Sequence, residues 1–192
     1  MYLGFNDHEL IVTFDKSDFE GKTVLFEGEQ LEDGSFLACP LFVHKIYPTT
    51  IDERARGIQD EIVGEELDAM MQAISAHCEK TPQKVVFEEI MPLSYVPSKG
   101  ELIAIRRGVL IVSIEEGSFA GQTVQWGGEM LYNGFGCNSF AAKFVRPPSN
   151  EQLRDIFLRG IAVIREVKKS EYPALKQAFR DICDTEKWKV KF

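Results

Sequence analysis

Hydrophobic and polar residues follow the same pattern in the two halves of the chain. In each half, a short apolar run, a polar turn and a second apolar run predict a β-hairpin, and two further strands follow. The predicted strands correspond as 2–5 with 102–105, 8–14 with 109–114, 23–27 with 123–126, and 35–47 with 135–146. Gly28 and Gly128 predict a bend or bulge after the third strand, and Pro40 predicts an edge or bulge in the fourth strand of the first half.

Direct self-alignment supports this correspondence. A shift of 100 residues aligns eleven identical residues within the window 10–34, and a shift of 105 later aligns Cys78 with Cys183. Self-similarity at a fixed offset is the signature of an internal repeat. We therefore expect an internal duplication with units at 1–87 and 102–192, joined by a linker at 88–101 that contains two prolines and a glycine.

Two helices are predicted between the fourth and the last strand of each unit. Thr50 with Glu53, and Ser149 with Gln152, have the S/T-x-x-E/Q spacing of a capping box. Ser170 is the expected N-cap of the second helix of the second copy. An apolar stripe at helical spacing predicts that the first helix of this copy contains Leu153, Ile156, Phe157, Ile161, Ile164 and Val167. Each unit then has the order β-β-β-β-α-α-β, and the fold class is α+β, with antiparallel sheets and helices packed on one side.

Composition indicates a globular protein. Hydrophobic residues make up 44% of the chain and charged residues 27%, and the four cysteines form no C-x-x-C pair. The first residues lack the basic and apolar regions of a signal peptide, and no apolar run is long enough to span a membrane. We therefore expect a cytoplasmic protein with reduced thiols and no membrane contact.

Charge is distributed unevenly along the chain. Residues 1–100 contain 8 basic and 19 acidic residues, a net charge of −11, whereas residues 101–192 contain 14 and 11, a net charge of +3. An acidic surface repels nucleic acid and attracts basic proteins, so the first half favours a basic protein partner, although the charge could also serve solubility alone.

Seven acidic residues concentrate in one segment, 52–68, which we interpret as a helix. Their mutual repulsion would be relieved by a basic partner, so they are the candidate partner-binding residues. They are Asp52, Glu53, Asp60, Glu61, Glu65, Glu66 and Asp68. Basic residues of the second copy, including Arg165, could instead face this segment in a homodimer.

A pocket at the junction of the two units is the other candidate site. Glu29 and Glu129 occur in the same G-E-x-L context in both copies and could meet as an acid/base pair, or simply lie in solvated turns. Trp126, Tyr132 and Phe135 could line such a pocket, although large apolar residues more often belong to a core.

Histidines and cysteines give no catalytic or metal-binding pattern. His8 lies between two acidic residues, but neighbours on a strand point to opposite faces, so a solvated turn is the simpler interpretation. His44 and Cys39 are five residues apart on one predicted strand, which also places them on opposite faces and argues against a nucleophile–base pair. We expect no metal, no cofactor and no catalytic residue.

Three functions remain open from the sequence. The first is a non-enzymatic protein that engages a basic partner through its acidic first half, as an immunity or inhibitor protein engages a toxin domain. The second is a small-molecule-binding or enzymatic pocket at the junction of the repeats. The third is a structural subunit of a homo-oligomer.

Overall fold

The structure is a computed structural model that describes residues 1–46, 58–91, 93–106, 108–132, 134–154 and 161–192. For residues 58–60 and 154 it describes the backbone only. The chain divides into two compact units, Met1–Glu89 and Ile90–Phe192. Each unit is a mixed sheet with helices, which confirms the α+β class. Within the described ranges, none of the helices has the length and apolar character needed to cross a bilayer.

The first unit contains a six-stranded sheet and one long helix. Its elements are β1 (Tyr2–Phe5), β2 (Glu9–Thr13), β3 (Thr23–Gln30), β4 (Phe36–Ile46), β5 (Ile58–Glu61), α1 (Gly64–Cys78) and β6 (Val85–Phe87). The strands lie in the order β1-β2-β3-β4-β5 with antiparallel neighbours, and β6 runs parallel to the beginning of β4. Two strands therefore pair with the same edge of β4: β6 with its first residues and β5 with its last.

The second unit has the same order of strands in its sheet. Its elements are β7 (Lys99–Arg106), β8 (Val109–Glu116), β9 (Gln122–Leu131), β10 (Gly134–Val145), α2 (Asn150–Arg154), β11 (Val163–Glu166), α3 (Tyr172–Thr185) and β12 (Lys189–Lys191). The sheet order is β11-β10-β9-β8-β7, and β12 runs parallel to the beginning of β10. A short 3₁₀ turn, Lys169–Glu171, leads into α3.

Alternation of residue type decides which face of each strand is buried. Leu10 and Val12 on β2 are fully buried while their neighbours are half-buried, which is the pattern of a strand with one face on the core. Helix α1 adds Leu67, Met70 and Ile74 to the same core. Their spacing of three and four residues places them on one helical face.

The paired glycines are explained by close contact between strands. A Cβ on Gly28 would lie 2.2 Å from the Leu37 carbonyl oxygen, and one on Gly128 would lie 2.0 Å from that of Gly136. The ring of Phe36 lies against Gly28 in the same way as the ring of Phe135 lies against Gly128. Only glycine allows this approach.

Several local predictions are confirmed. Each unit opens with the expected hairpin, β1–β2 and β7–β8. Pro40 lies in the irregular part of β4, between the residues that pair with Phe26 and Glu27. Ser149 and Gln152 form the capping box, with backbone N–H groups donating to the opposite side chain at 2.8 and 3.2 Å. Thr50 and Glu53 lie outside the described residues.

The first predicted helix of each unit is confirmed in part and wrong in part. Gly64 begins α1, but Ile58–Glu61 is strand β5, so the acidic segment 52–68 is not one helix. In the second unit Asn150–Arg154 is helix α2, as predicted, but Val163–Glu166 is strand β11. Isoleucine spacing imitates a helical stripe in both segments, but pairing with β4 and β10 determines the structure.

Two smaller predictions are also corrected. The sheets are not purely antiparallel, because β6 and β12 each form a parallel pair. The N-cap of α3 is Glu171 rather than Ser170, which lies within the 3₁₀ turn that precedes the helix.

Candidate protein-binding groove

An open groove runs along the outer face of α1 in the first unit. Its volume is about 460 Å³, within the range of roughly 300–1,000 Å³ that is typical of ligand sites. The residues that line it come from α1, the residue after it and β6. They are Asp68, Met71, Gln72, Ser75, Ala76, Glu79 and Phe87.

Packing of the core determines which residues reach this groove. Because Met70 and Ile74 point into the core, the neighbouring stripe of α1 points outward. The floor is apolar: Met71 and Phe87 are half-buried, and the Phe87 ring packs against Phe26 at 5.5 Å between centroids. Pairing of β6 with β4 fixes Phe87 beside Ala38. The Phe87 part of the floor therefore belongs to the sheet, and Met71 adds to it from α1.

The rim of the groove is acidic. Asp68 and Glu79 are exposed carboxylates near its two ends, and Glu65 and Glu66 are exposed in the first turn of α1. Lys22 forms an ion pair with Glu66 at 2.6 Å. Acidic residues in a first turn also stabilise the helix through its dipole, which is a structural reason for Glu65 and Glu66 but not for Glu79 at the opposite end.

The structure divides the seven candidate partner-binding residues among different elements. Asp52 and Glu53 lie outside the described residues, and Asp60 and Glu61 belong to strand β5. Glu65, Glu66 and Asp68 lie together at the beginning of α1. Among those of the seven whose side chains the structure describes, only Asp68 lines the groove.

Sequence reasoning missed most of the residues that line the groove. Neither Met71 nor Phe87 is among the candidate site residues that the sequence pattern indicates. The available signal was the stripe Gln72, Ser75, Ala76 and Glu79, in which small and polar residues lie beside the apolar face. Such a stripe is typical of any solvated helix, so it did not indicate a groove.

The aromatic residues proposed for a pocket divide between core and surface. Trp126 is fully buried in the second unit, where its indole N–H donates to the Asn138 carbonyl at 2.8 Å. Phe135 is also fully buried, whereas Tyr132 is fully exposed. Trp126 and Phe135 therefore present no surface to an open pocket.

The two candidate acid/base glutamates are both exposed. Glu29 lies on β3 of the first unit and Glu129 on β9 of the second, each beside the glycine that approaches the neighbouring strand. Each follows the alternation of its strand to the solvent side. Their shared context is thus explained by the sheet geometry around Gly28 and Gly128.

The corresponding face of α3 is occupied by the second unit itself. Lys176 and Arg180 extend over the Phe192 ring, at 5.7 and 5.0 Å from its centroid. One turn away, Asp181 accepts hydrogen bonds from the Tyr95 hydroxyl, from the Ser98 backbone N–H at 3.1 Å and from Gln177 at 2.9 Å. These contacts attach the segment 93–98 to the helix.

A partly buried ion pair holds β11 to the start of α3. Arg165 donates two hydrogen bonds to Glu171, at 2.6 and 2.7 Å, and its guanidinium lies 3.9 Å from the Phe144 ring centroid. Burial acts to raise the pKa of Glu171, but the bonds from Arg165 and from the Lys168 backbone outweigh it and lower the pKa. Arg165 is thus engaged within its own unit.

Histidine and cysteine geometry adds no reactive site. His8 follows a turn in which the Asn6 side chain accepts the backbone N–H groups of His8 and Glu9. All four cysteines are free thiols, and burial raises the pKa of Cys183 to about 12. Among the described ranges, no cluster of three His, Cys, Asp or Glu side chains is placed to bind a metal ion.

Comparison with known proteins gives no relative for this chain. No protein-family model, curated protein or solved structure matches it. The groove and the charge around it are the features of the described residues that bear on function.

Proposed function

We propose that this protein is a non-enzymatic binding protein whose first unit engages a basic protein partner through the groove on α1. The observation that carries the proposal is the combination of an apolar floor, formed by Met71 and Phe87, with an acidic rim that includes Asp68 and Glu79. Apolar floors supply affinity through desolvation, and a charged rim supplies orientation and a faster encounter. A basic toxin domain is one partner class with this chemistry.

Net charge supports the same partner. The first hundred residues have a net charge of −11, and Glu65 and Glu66 extend the acidic surface beyond the groove. A surface with a net negative charge attracts a basic protein and repels an acidic one. The homodimer alternative loses one of its candidate contacts, because Arg165 is paired with Glu171. The junction pocket stays a prediction.

The origin of the two units is part of the proposal. The identical order of strands in the two sheets and the eleven aligned identities support an internal duplication. After duplication, one copy could keep its helix face covered while the other acquired a binding groove.

Affinity capture with paired charge variants tests the function. The first bait has Glu65→Lys, Asp68→Lys and Glu79→Lys around the groove; the control bait has Glu101→Lys, Glu115→Lys and Glu186→Lys on exposed positions of the second unit. Both variants change the net charge equally. We expect wild type and control to retain a basic partner from the native host, and the groove variant to bind it at least about tenfold more weakly.

The identified partner is then purified and its affinity is measured at several salt concentrations. Affinity should fall as salt rises, since screening weakens charge attraction. An acidic partner, a salt-independent complex, or equal losses in the two variants would refute the proposed surface.

A further inference from the structure

The spacing of the acidic rim defines the kind of segment that fits the groove. Asp68 lies on α1, and Glu79 is the residue after it, with helical backbone angles. The two are eleven residues apart, which is close to three full helical turns, so Glu79 continues the face of α1 that carries Asp68. Their Cα atoms are separated by about 16 Å along the axis, at about 1.5 Å per residue. In an extended peptide, side chains at i, i+2 and i+4 share one face and span about 13 Å. Long cationic side chains can cover the remaining distance.

The second unit shows which kind of side chain can lie over an aromatic ring at the position that corresponds to the groove floor. At the 105-residue offset, Phe87 corresponds to Phe192, and Ser75 corresponds to Arg180. Arg180 lies over the Phe192 ring at 5.0 Å, whereas Ser75 is too short to cover Phe87. A cation above an aromatic face is attracted by the ring quadrupole. Among the described residues, the first unit therefore presents the aromatic floor without a helix cation corresponding to Arg180.

The second unit carries a segment without helix or strand structure beside its own helix, at 93–98. The backbone N–H of Leu93 donates to the Ser170 carbonyl at 3.2 Å, and the Tyr95 hydroxyl and Ser98 backbone reach Asp181. The segment is thus held from the turn before α3 to Asp181 on the helix. The exposed stripe of α1 can accept a segment from another protein in the same manner.

We propose that the groove of the first unit binds an extended basic segment with cationic side chains at three alternate positions. The outer two cations pair with Asp68 and Glu79, and the central one lies over the Phe87 ring with its aliphatic part on Met71. This inference rests on the proposed function and assigns the recognition element of the partner. Alternate spacing, rather than total charge, is the specific feature.

Peptide titration followed by NMR tests the spacing. The probe is the capped peptide Gly-Arg-Ser-Arg-Ser-Arg-Gly, and the composition-matched control is Gly-Arg-Arg-Arg-Ser-Ser-Gly. Binding is measured at low salt from the shift of the Met71 methyl resonance, which reports the floor of the groove directly. We expect the alternate peptide to bind about threefold to tenfold more tightly than the control, because only its outer cations reach both rim carboxylates.

A matched pair of variants tests the site. Ser75→Arg places a cation over Phe87, as Arg180 lies over Phe192, and Ala69→Arg adds the same charge at an exposed α1 position outside the groove. Circular dichroism should show that both variants fold. We expect Ser75→Arg to weaken binding of the alternate peptide about tenfold and Ala69→Arg less than about twofold.

The outcomes separate this inference from the proposed function. Equal weakening by the two variants, or equal affinity for the two peptides, would overturn recognition of alternately spaced cations. Absence of any Met71 shift with the alternate peptide would also overturn it. Charge-dependent capture of a basic partner is judged separately by the groove charge variants. If the groove charge variants capture the basic partner as well as wild type does, the proposed function fails independently.

Discussion

Helices α1 and α3 each follow the fifth strand of their sheet, but the face of α3 is covered by its own unit whereas the corresponding face of α1 is exposed. Eight of the fourteen residues of α3 are buried, against three of the fifteen residues of α1. In α3 the face is occupied by Lys176, Arg180 and Asp181, which hold parts of the same unit. In α1 the corresponding surface has short side chains such as Ser75 and Ala76. A core fixes only one face of a helix, so the other can stabilise the unit or bind a partner.

The ion pairs at the start of the two helices also differ in burial, and the pair at α3 is again the more buried one. Glu171 is largely buried and paired by two bonds with Arg165, whereas Glu66 is paired with Lys22 at an exposed site. The two glutamates correspond at the 105-residue offset. We expect the buried pair to contribute to stability and the exposed pair to contribute little.

Removing each glutamate should produce the largest contrast between the units. Glu171→Ala leaves the Arg165 guanidinium without its carboxylate and should lower the free energy of unfolding of the second unit by about 2–3 kcal/mol. Glu66→Ala should lower that of the first unit by less than about 0.5 kcal/mol. Hydrogen exchange resolved by peptide measures each unit, and fluorescence of Trp126 and Trp188 follows the second unit alone. Equal effects would remove the contrast.

The same pair predicts a dependence on pH. The hydrogen bonds from Arg165 and the Lys168 backbone hold the folded-state pKa of Glu171 below its ordinary value of 4.5. Its contribution to stability is therefore fully present above pH 4.5 and is lost as the pH falls through the folded-state pKa. The difference in stability between wild type and Glu171→Ala should shrink in this acidic range. A constant difference from neutral to acidic pH would contradict the assignment.

Asp181→Ala should produce the next largest effect. The substitution removes the acceptor of Tyr95 and Ser98 and should destabilise the attachment of the segment 93–98 by about 1–2 kcal/mol. Hydrogen exchange and proteolytic cleavage in this segment should increase, while exchange in β9 and β10 changes much less. The reciprocal variant, Ala76→Asp, adds a carboxylate at the corresponding place on α1 and should leave the first unit unchanged. Unaltered exchange at 93–98 would show that other contacts hold the segment.

Local features were predictable because they depend on neighbouring residues. The Ser149–Gln152 capping box and the opening hairpins follow from short-range spacing, and both are present. Strands β5 and β11 were mistaken for helices because isoleucines at spacings of three and four residues satisfy either pattern. Their identity depends on hydrogen bonds to β4 and β10, which are distant in sequence.

The groove was less predictable than the fold. Its floor depends on the parallel pairing of β6 with β4, which brings Phe87 beneath a helix that begins more than twenty residues earlier. The acidic segment contains Asp68, which lines the groove. Glu79 was overlooked because it lies outside the dense acidic segment. The Arg165–Glu171 bond likewise depends on the unexpected strand β11.

The smallest expected effect is a difference in thiol reactivity between the two helices, which is measured on the unmutated protein. Cys78 and Cys183 correspond at the ends of α1 and α3, but Cys78 is half-buried and Cys183 is fully buried. Burial raises the pKa of both thiols, and that of Cys183 reaches about 12. Burial therefore disfavours the thiolate, which is the reactive form, at both cysteines.

Timed alkylation with iodoacetamide, followed by peptide mass spectrometry, should therefore modify Cys78 well before Cys183. Since Cys183 must be exposed by opening of α3, Glu171→Ala should accelerate its modification and leave the rate at Cys78 unchanged. Similar alkylation rates at the two cysteines in wild type would mean that Cys183 is as accessible to the reagent as Cys78. The covered helix face would then add no protection to the second unit.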